Sequence, residues 1–320
     1  MKDAKTLYIV VPCYKEEEVL PETSKRLKAK MESLLEQGKI SDKSRVMFVN
    51  DGSKDRTWEI IEQLHREEPE MFSGVNLARN RGHQNALLAG LMTAVNYADM
   101  VISMDADLQD DVDAVDGMVD AYHNGFDVVY GVRSSRQTDT FFKRFTAESF
   151  YKLMKGLGVD IVFNHADYRL MSKRALEGLS QFGEVNLFLR GIVPQIGYPW
   201  TTVEYERHER FAGESKYPLK KMLAFAFDGI TSFSVKPMRL ILVLGVVVFF
   251  ISIVMLLWAL LSKIAGATTA GWTSMIGSIW LIGGIQLLSL GVIGEYIGKI
   301  YSETTHRPRF IIERVLNKAE

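Results

Sequence analysis

The first part of the chain alternates short apolar runs with longer segments whose apolar positions recur at helical spacing. "TLYIVVP" (6–12) predicts a buried strand. Residues 16–37 predict a helix with Leu20, Leu27, Met31, Leu34 and Leu35 on one face and Gly38 as its stop. The pattern then repeats: "SRVMFVN" (44–50) as a strand, 54–66 as a helix with Trp58, Ile61 and Leu64 inward, and "FSGVNLA" (72–78) as a strand. A helix over 84–97, the strand "MVISMDA" (100–106), a helix over 111–123 and the strand "DVVYGVR" (127–133) follow. Strand–helix repetition at this spacing predicts an α/β domain with a mostly parallel sheet and helices on both faces. Ligands of such sheets bind at the carboxyl ends of the strands.

Beyond residue 235 the pattern changes. Residues 240–261 and 272–293 are two 22-residue runs without a charge. Each exceeds the roughly 20 residues needed to cross a bilayer core of about 30 Å. Joined by the short linker "SKIAGATTAG", they predict a transmembrane helical hairpin. Lys236 and Arg239 precede it, Lys299, Arg307 and Arg309 follow it, and the linker holds only Lys263. This asymmetry predicts that both termini are cytoplasmic and the linker is outside. "YPLKKMLAFAFDGITSFS" (217–234) mixes Leu219, Met222, Leu223, Phe225 and Phe227 with Lys220 and Lys221. It predicts an amphipathic helix in the headgroup layer, with a helix packed on the domain as the alternative. The expected organisation is a catalytic domain over 1–216, an interfacial helix over 217–235, two membrane helices over 236–296 and a cytoplasmic tail over 297–320.

Composition narrows the function classes. The net charge of −1 and pI near 6.6 give no global signal for nucleic acid. A single cysteine, Cys13, excludes an internal disulfide framework and fits a reducing compartment. Asp3 ahead of the first apolar run, with no small-residue cleavage site after it, predicts that no signal peptide is present. There is no G-x-G-x-x-G after the first strand, no G-x-x-x-x-G-K-[ST], no H-E-x-x-H and no paired cysteine site, which removes the usual dinucleotide, P-loop and zinc readings.

Four polar clusters sit at successive strand ends: "PCYKEEE", "NDGSKDRT", "ARNRGHQ" and "DADLQDD". Asp105 and Asp107 are two apart, a spacing that puts strand residues on one face. Gln109 adds a neutral oxygen. Hard oxygens of this kind suit Mg²⁺ or Mn²⁺ shared with substrate phosphates; a solvated loop is the alternative. Asp110 and Asp111 are expected to begin the next helix, one of them as its N-cap. A metal at this place would neutralise a diphosphate leaving group, and a sugar nucleotide is a natural substrate of that type. Asp51 is a candidate for the base or ribose, Tyr14 for stacking on the base, and Arg79 and Arg81 for phosphate. A turn former, a rim aromatic and surface arginines are the alternatives.

"VVPCYKEEE", "VNDGSKDRT", "ARNRGHQNALLAG" and "MDADLQD" resemble, in order, the motifs of glycosyltransferase family 2 with a GT-A fold. "ADYRLMS" (166–172), "FLRGIV" (188–193), "RFAGESKYPLKKM" (210–222), the two apolar runs and "EYIGKIYSETTHRPRF" (295–310) narrow the resemblance to bacterial polyprenyl-phosphate (bactoprenol) glycosyltransferases, relatives of dolichol-phosphate mannose synthase. The resemblance implies that Pro12, Tyr14, Glu16 and Asp51, with Arg79 and Asp105, bind the nucleotide sugar. It implies that Asp105, Asp107 and Gln109 hold Mg²⁺ or Mn²⁺, and that Asp107 and Asp167 act in catalysis or acceptor orientation. Arg133, Arg144 and Lys216 are the candidates for the acceptor phosphate. The expected reaction is inverting transfer of one hexose from UDP-glucose to undecaprenyl phosphate at the cytosolic face of the inner membrane, by a multi-pass homotetramer. UDP-galactose, UDP-N-acetylhexosamine and GDP-mannose are the alternative donors. A processive polysaccharide synthase would carry Q-x-x-R-W and more spans, and a non-catalytic scaffold would not need the acidic clusters. Asn50 stands where the family often has an acid, so no carboxylate role is expected there.

A lipid monophosphate is largely a dianion at pH 7, its second pKa lying near 6. It needs little help from a base, so Asp167 is expected to orient the arginines or the sugar, with a salt bridge to Arg169 as the plainer reading.

Overall fold

The computed structural model describes residues 4–133, 165–184, 189–206 and 271–317, with scattered helical positions between 238 and 261. The expected interfacial helix over 217–235, and Arg144 and Lys216, lie outside the described residues. The chain divides into two compact units, one holding residues 1–151, 160–217 and 307–320, the other holding 152–159 and 218–306.

The first unit is built on an eight-stranded sheet in the order β7 (Trp200–Tyr205), β5 (Val128–Arg133), β6 (His165–Ser172), β4 (Met100–Ser103), β1 (Leu7–Cys13), β2 (Arg45–Asn50), β3 (Phe72–Leu77), β8 (Ile312–Leu316). Its centre is parallel: β1 (Leu7–Cys13) lies between β4 (Met100–Ser103) and β2 (Arg45–Asn50), and β2 pairs with β3 (Phe72–Leu77). Every residue of β1 and β2 is buried, as expected of strands covered on both faces. Helices α1 (Leu20–Glu36), α2 (Thr57–Glu67) and α4 (Ala114–His123) share one core: Leu27, Met31, Leu34, Ile61, Val115 and Met118 pack with Leu7, Ile9, Val11, Phe48 and Ile102. Each such side chain contributes about 1.5–3 kcal/mol relative to exposure.

Helix α3 (His83–Ala94) covers the opposite face. Gly90 makes this approach possible, since a Cβ there would lie 2.4 Å from Val10 Cγ1 and 2.6 Å from Val49 Cγ2.

The four central strands and their helices match the sequence pattern; the flanks do not follow from it. β6 (His165–Ser172) runs antiparallel between β4 and β5 (Val128–Arg133), so the fourth and fifth parallel strands are not neighbours. β7 (Trp200–Tyr205) pairs parallel with β5 at one edge. At the other edge β8 (Ile312–Leu316) pairs antiparallel with β3. Residues 312–316, expected within a tail, are therefore a strand of the main sheet. Between β6 and β7 lie α5 (Lys173–Ser180), the single turn α6 (Leu189–Ile192) and a 3₁₀ turn over Val193–Ile196.

In the second unit α7 runs over Trp272–Thr304, 33 residues. Among the described residues no helix is long and apolar enough to cross a membrane. Several α7 side chains and ten of the residues over 239–261 lie outside that description.

Candidate active site

The acidic loop after β4 keeps the two-residue alternation of a strand past the strand's end. Ala106, Leu108 and Asp110 are buried; Asp105, Asp107 and Gln109 are partly exposed between them. The three residues expected to hold a metal are thus the partly exposed members of the loop. The backbone pays a local cost, with Leu108 at φ 56°. The loop is fixed from within. Thr23 Oγ1 donates to the Ala106 carbonyl at 2.8 Å, and Tyr168 Oη to the Asp111 carbonyl at 2.9 Å. On the accessible side the Asp107 carboxylate accepts from the Gln109 amide at 3.2 Å.

Asp110 does not start a helix. The α4 N-cap is Asp113, and the helix begins at Ala114. Asp111 accepts from the Asp113 amide. Asp110 instead points inward, is 2% exposed and accepts from Tyr205 Oη at 2.5 Å. Burial, with Asp105 close by, pushes its pKa up to about 6 against the opposing bond from Tyr205.

Asp105 faces a different set. His83 Nε2, in the first turn of α3, lies 3.5 Å from Asp105 Oδ1 and 3.8 Å from Asp167 Oδ2. Burial raises the Asp105 pKa; His83 opposes this, and the charges of Asp167 and Asp107 add to it. Like charges gathered at a partly open rim are what a divalent cation offsets. Among the described residues no three His, Cys, Asp or Glu side chains form a metal cluster. Two partly exposed carboxylates and an amide oxygen in one loop suit, by donor chemistry, a Mg²⁺ or Mn²⁺ ion that draws its remaining ligands from water and substrate phosphates.

Asp167, on β6, lies between two guanidinium groups. Arg169 Nη2 donates to its Oδ1 at 2.9 Å; Arg190 Nη2 donates to its Oδ2 at 3.1 Å and Arg190 Nε to its Oδ1 at 3.4 Å. Burial alone would raise the Asp167 pKa, but Arg190, Arg169 and His83 outweigh it and hold the carboxyl well below the usual carboxylate range. The salt bridge to Arg169 is present, and it is half of a pair. Arg190 reaches the site from α6, whose first amide, Leu189, donates to Gln84 of α3 at 3.0 Å. His83 and Arg190 lie within the quoted motifs, but no periodicity assigned them a role.

The second strand end is bound to the third. Asp51 is buried and accepts from the Arg81 amide at 2.6 Å and the Gly82 amide at 2.9 Å, so both carboxylate oxygens hold the loop that leads to His83. Gly52 sits at φ +60°, and a Cβ there would lie 2.5 Å from the carbonyl carbon of Arg79. Asn50 donates to Asn76 at 2.7 Å and accepts from the Ser53 amide, an amide role that needs no carboxylate. Pro12 is buried in β1, and Tyr14 at its end is 46% exposed with Lys15 Nζ 5.5 Å from its ring centre. The Glu16 amide donates to Thr57 Oγ1 at 3.0 Å. Arg79 is exposed, and the Arg81 Nε is buried without a hydrogen-bond partner. Arg133 ends β5, and its Nε donates to Tyr205 Oη at 3.3 Å.

Two family models match this chain: glycosyl transferase family 2 over residues 8–180 and the GtrB C-terminal hairpin over residues 236–300. An uncharacterized glycosyltransferase of Bacillus subtilis, YkoT, is 55% identical over 96% of this chain and 91% of its own length. The prophage bactoprenol glucosyl transferase homolog of Escherichia coli is 39% identical, over 96% of this chain and 98% of its own. The bactoprenol glucosyl transferase of Shigella phage SfV is also 39% identical, over 97% and 99%. A GT-A-like, mostly parallel sheet, polar clusters at its strand ends and these matches along nearly the whole chain agree: the protein is a glycosyltransferase that belongs to glycosyl transferase family 2 and carries the GtrB C-terminal hairpin.

Proposed function

We propose that the protein transfers one hexose from UDP-glucose to a polyprenyl phosphate at the cytosolic face of a membrane, inverting the anomeric carbon. The observation that carries this reading is the nearness of the Asp105 carboxylate to an Asp167 carboxylate clamped by two arginines, with His83 within 4 Å of both. An acidic set suited to a metal-bound diphosphate adjoins cations suited to a second phosphate. The bactoprenol glucosyl transferases, similar along nearly their whole length, support the hexose and the lipid.

The chemistry requires no general base. An oxygen of the acceptor phosphate, largely a dianion at pH 7, bonds to the anomeric carbon. The bond from that carbon to the diphosphate oxygen breaks, and UDP leaves with the electron pair. No proton has to be removed, which suits an Asp167 held ionised by Arg169 and Arg190. Asp167 orients Arg190, and Arg133, Arg144 and Lys216 receive the acceptor phosphate. Pro12, Tyr14, Glu16, Asp51 and Arg79 line the nucleotide side, Asp51 by holding the Arg81–Gly82 loop in place. Mg²⁺ or Mn²⁺ held by Asp105, Asp107 and Gln109 would supply Lewis-acid neutralisation of the leaving diphosphate.

The apolar runs over 240–261 and 272–293 bring this site to its acceptor by crossing the bilayer as a hairpin. At 1.5 Å per residue α7 is about 50 Å long, beyond the roughly 30 Å of a bilayer core. β8 pairs with β3, so residue 312 must lie on the same side as residue 72. An even number of crossings between them meets that condition.

The test is incubation of the purified protein with labelled UDP-glucose, UDP-galactose, UDP-N-acetylglucosamine or GDP-mannose, undecaprenyl phosphate, and Mg²⁺ or Mn²⁺. Lipid-linked label is expected from UDP-glucose. Label from another donor alone would replace the sugar assignment, and none from any donor would overturn the reading.

A further inference from the structure

We infer that Asp110 is a positioning residue for the acceptor end of the site: its carboxylate fixes Arg133 and Tyr205 to the loop that carries Asp105, Asp107 and Gln109. This rests on the reading of Arg133 as an acceptor-phosphate residue in the proposed transfer.

The geometry is a closed triangle. Asp110 Oδ1 accepts from Tyr205 Oη at 2.5 Å and lies 3.8 Å from Arg133 Nη2, while Arg133 Nε donates to Tyr205 Oη at 3.3 Å. Arg133 and Tyr205 are register partners across the β5–β7 pair, so the sheet presents both to the same point. Asp110 is the residue after Gln109 and the inward member of the alternation that turns Asp105, Asp107 and Gln109 outward. A shift of the accessible side of this loop is passed through one covalent neighbour to the group that sets the direction of Arg133. Tyr168 strengthens the connection: its hydroxyl holds the Asp111 carbonyl, and its ring packs edge-on against Tyr205 at 5.2 Å.

The choice of an acid here is informative. Asp110 Oδ2 is buried and has no hydrogen-bond partner. A buried acceptor without a donor costs stability. An asparagine would still accept from Tyr205 and would bury no charge, so holding the tyrosine does not explain the acid. What a carboxylate adds is attraction for the Arg133 guanidinium. An acid buried at a cost to the fold is the mark of a group serving the site.

The test compares wild type with Asp110→Asn and Tyr205→Phe in the UDP-glucose and undecaprenyl phosphate assay. Thermal stabilisation by UDP with Mn²⁺ is measured in parallel. Asp110→Asn is expected to keep or raise the melting temperature, to keep the stabilisation by UDP, and to raise the KM for undecaprenyl phosphate roughly tenfold through the lost charge attraction for Arg133. Tyr205→Phe is expected to raise the same KM, and the double variant to cost less than the product of the two effects, because they act on one triangle. An unchanged acceptor KM in an active Asp110→Asn protein would overturn the inference and leave the proposed function standing. So would an equal loss on the donor and acceptor sides, which marks a fold defect. Absence of transfer by wild type would overturn both.

Discussion

Arg190 donates to both oxygens of the Asp167 carboxylate, at 3.1 and 3.4 Å, while Arg169 holds one of them from the other side at 2.9 Å. A carboxylate so placed is a poor proton acceptor. The folded pKa of Asp167 lies below its unfolded value, so the ion pairs stabilise the protein above the ordinary carboxylate pKa near 4. That contribution is lost as pH falls from there through the folded value. At the pH of the assay it is fully present.

For Asp167→Asn, the expected result is a loss of about 3 kcal/mol in stability, because Arg169 is left buried beside a neutral partner. Transfer should fall on the order of a hundredfold as Arg190 loses its anchor, since that factor corresponds to about 2.7 kcal/mol. The acidic limb of the activity profile, set near pH 6 by the acceptor phosphate and by Asp110, should keep its position in the variant. Disappearance of that limb would show Asp167 to be the base after all.

The outward set of the acidic loop should separate activity from folding. Asp107→Ala is expected to melt within about 1 kcal/mol of wild type, as partly exposed positions do, and to lose transfer. Chelation of divalent metal should have the same effect on wild type, reversed by Mg²⁺ or Mn²⁺. Full turnover by Asp107→Ala would move the metal away from this loop.

How much of this was legible in the sequence depends on how far apart the partners lie. The central strands and their helices follow from local periodicity, and the structure agrees within a few residues; Asp105, Asp107 and Gln109 are the partly exposed members of their loop. Asp110 followed the wrong rule. Read locally it is a helix start, yet its partner, Tyr205, is 95 residues away. Arg190 and Asp167 are joined by the insertion of β6 between β4 and β5, which the motif order does not announce. β8 pairs with β3 from the far side of both apolar runs, so no pattern near residue 312 reveals its neighbour. His83 needed the helix start at residue 83, one residue earlier than its spacing predicts.

Two glycines should behave differently. Gly52→Ala forces a side chain into φ +60° and against the Arg79–Asn80 backbone, so both stability, by about 2 kcal/mol, and stabilisation by UDP should fall. Gly90→Ala meets the side chains of Val10 and Val49 instead, with a similar cost to the fold and no change in the KM for UDP-glucose. Melting curves with and without UDP and Mn²⁺ distinguish the two; equal UDP responses would remove Gly52 from the donor loop.

The hairpin can be mapped by labelling, because the one native cysteine, Cys13, is buried. In sealed vesicles, cysteines introduced at Glu59 and Glu313 should react with an impermeant maleimide from the same side, and one at Ala267 from the opposite side. Labelling of all three from one side would exclude a crossing.

The central claim is most directly tested by the stereochemistry of the lipid-linked product. With UDP-glucose, whose sugar is α-linked, undecaprenyl phosphate and Mg²⁺, the purified protein is predicted to yield a β-linked glucosyl phosphate, read from the anomeric proton coupling by NMR. An α-linked product, or no lipid-linked glucose at all, would contradict it.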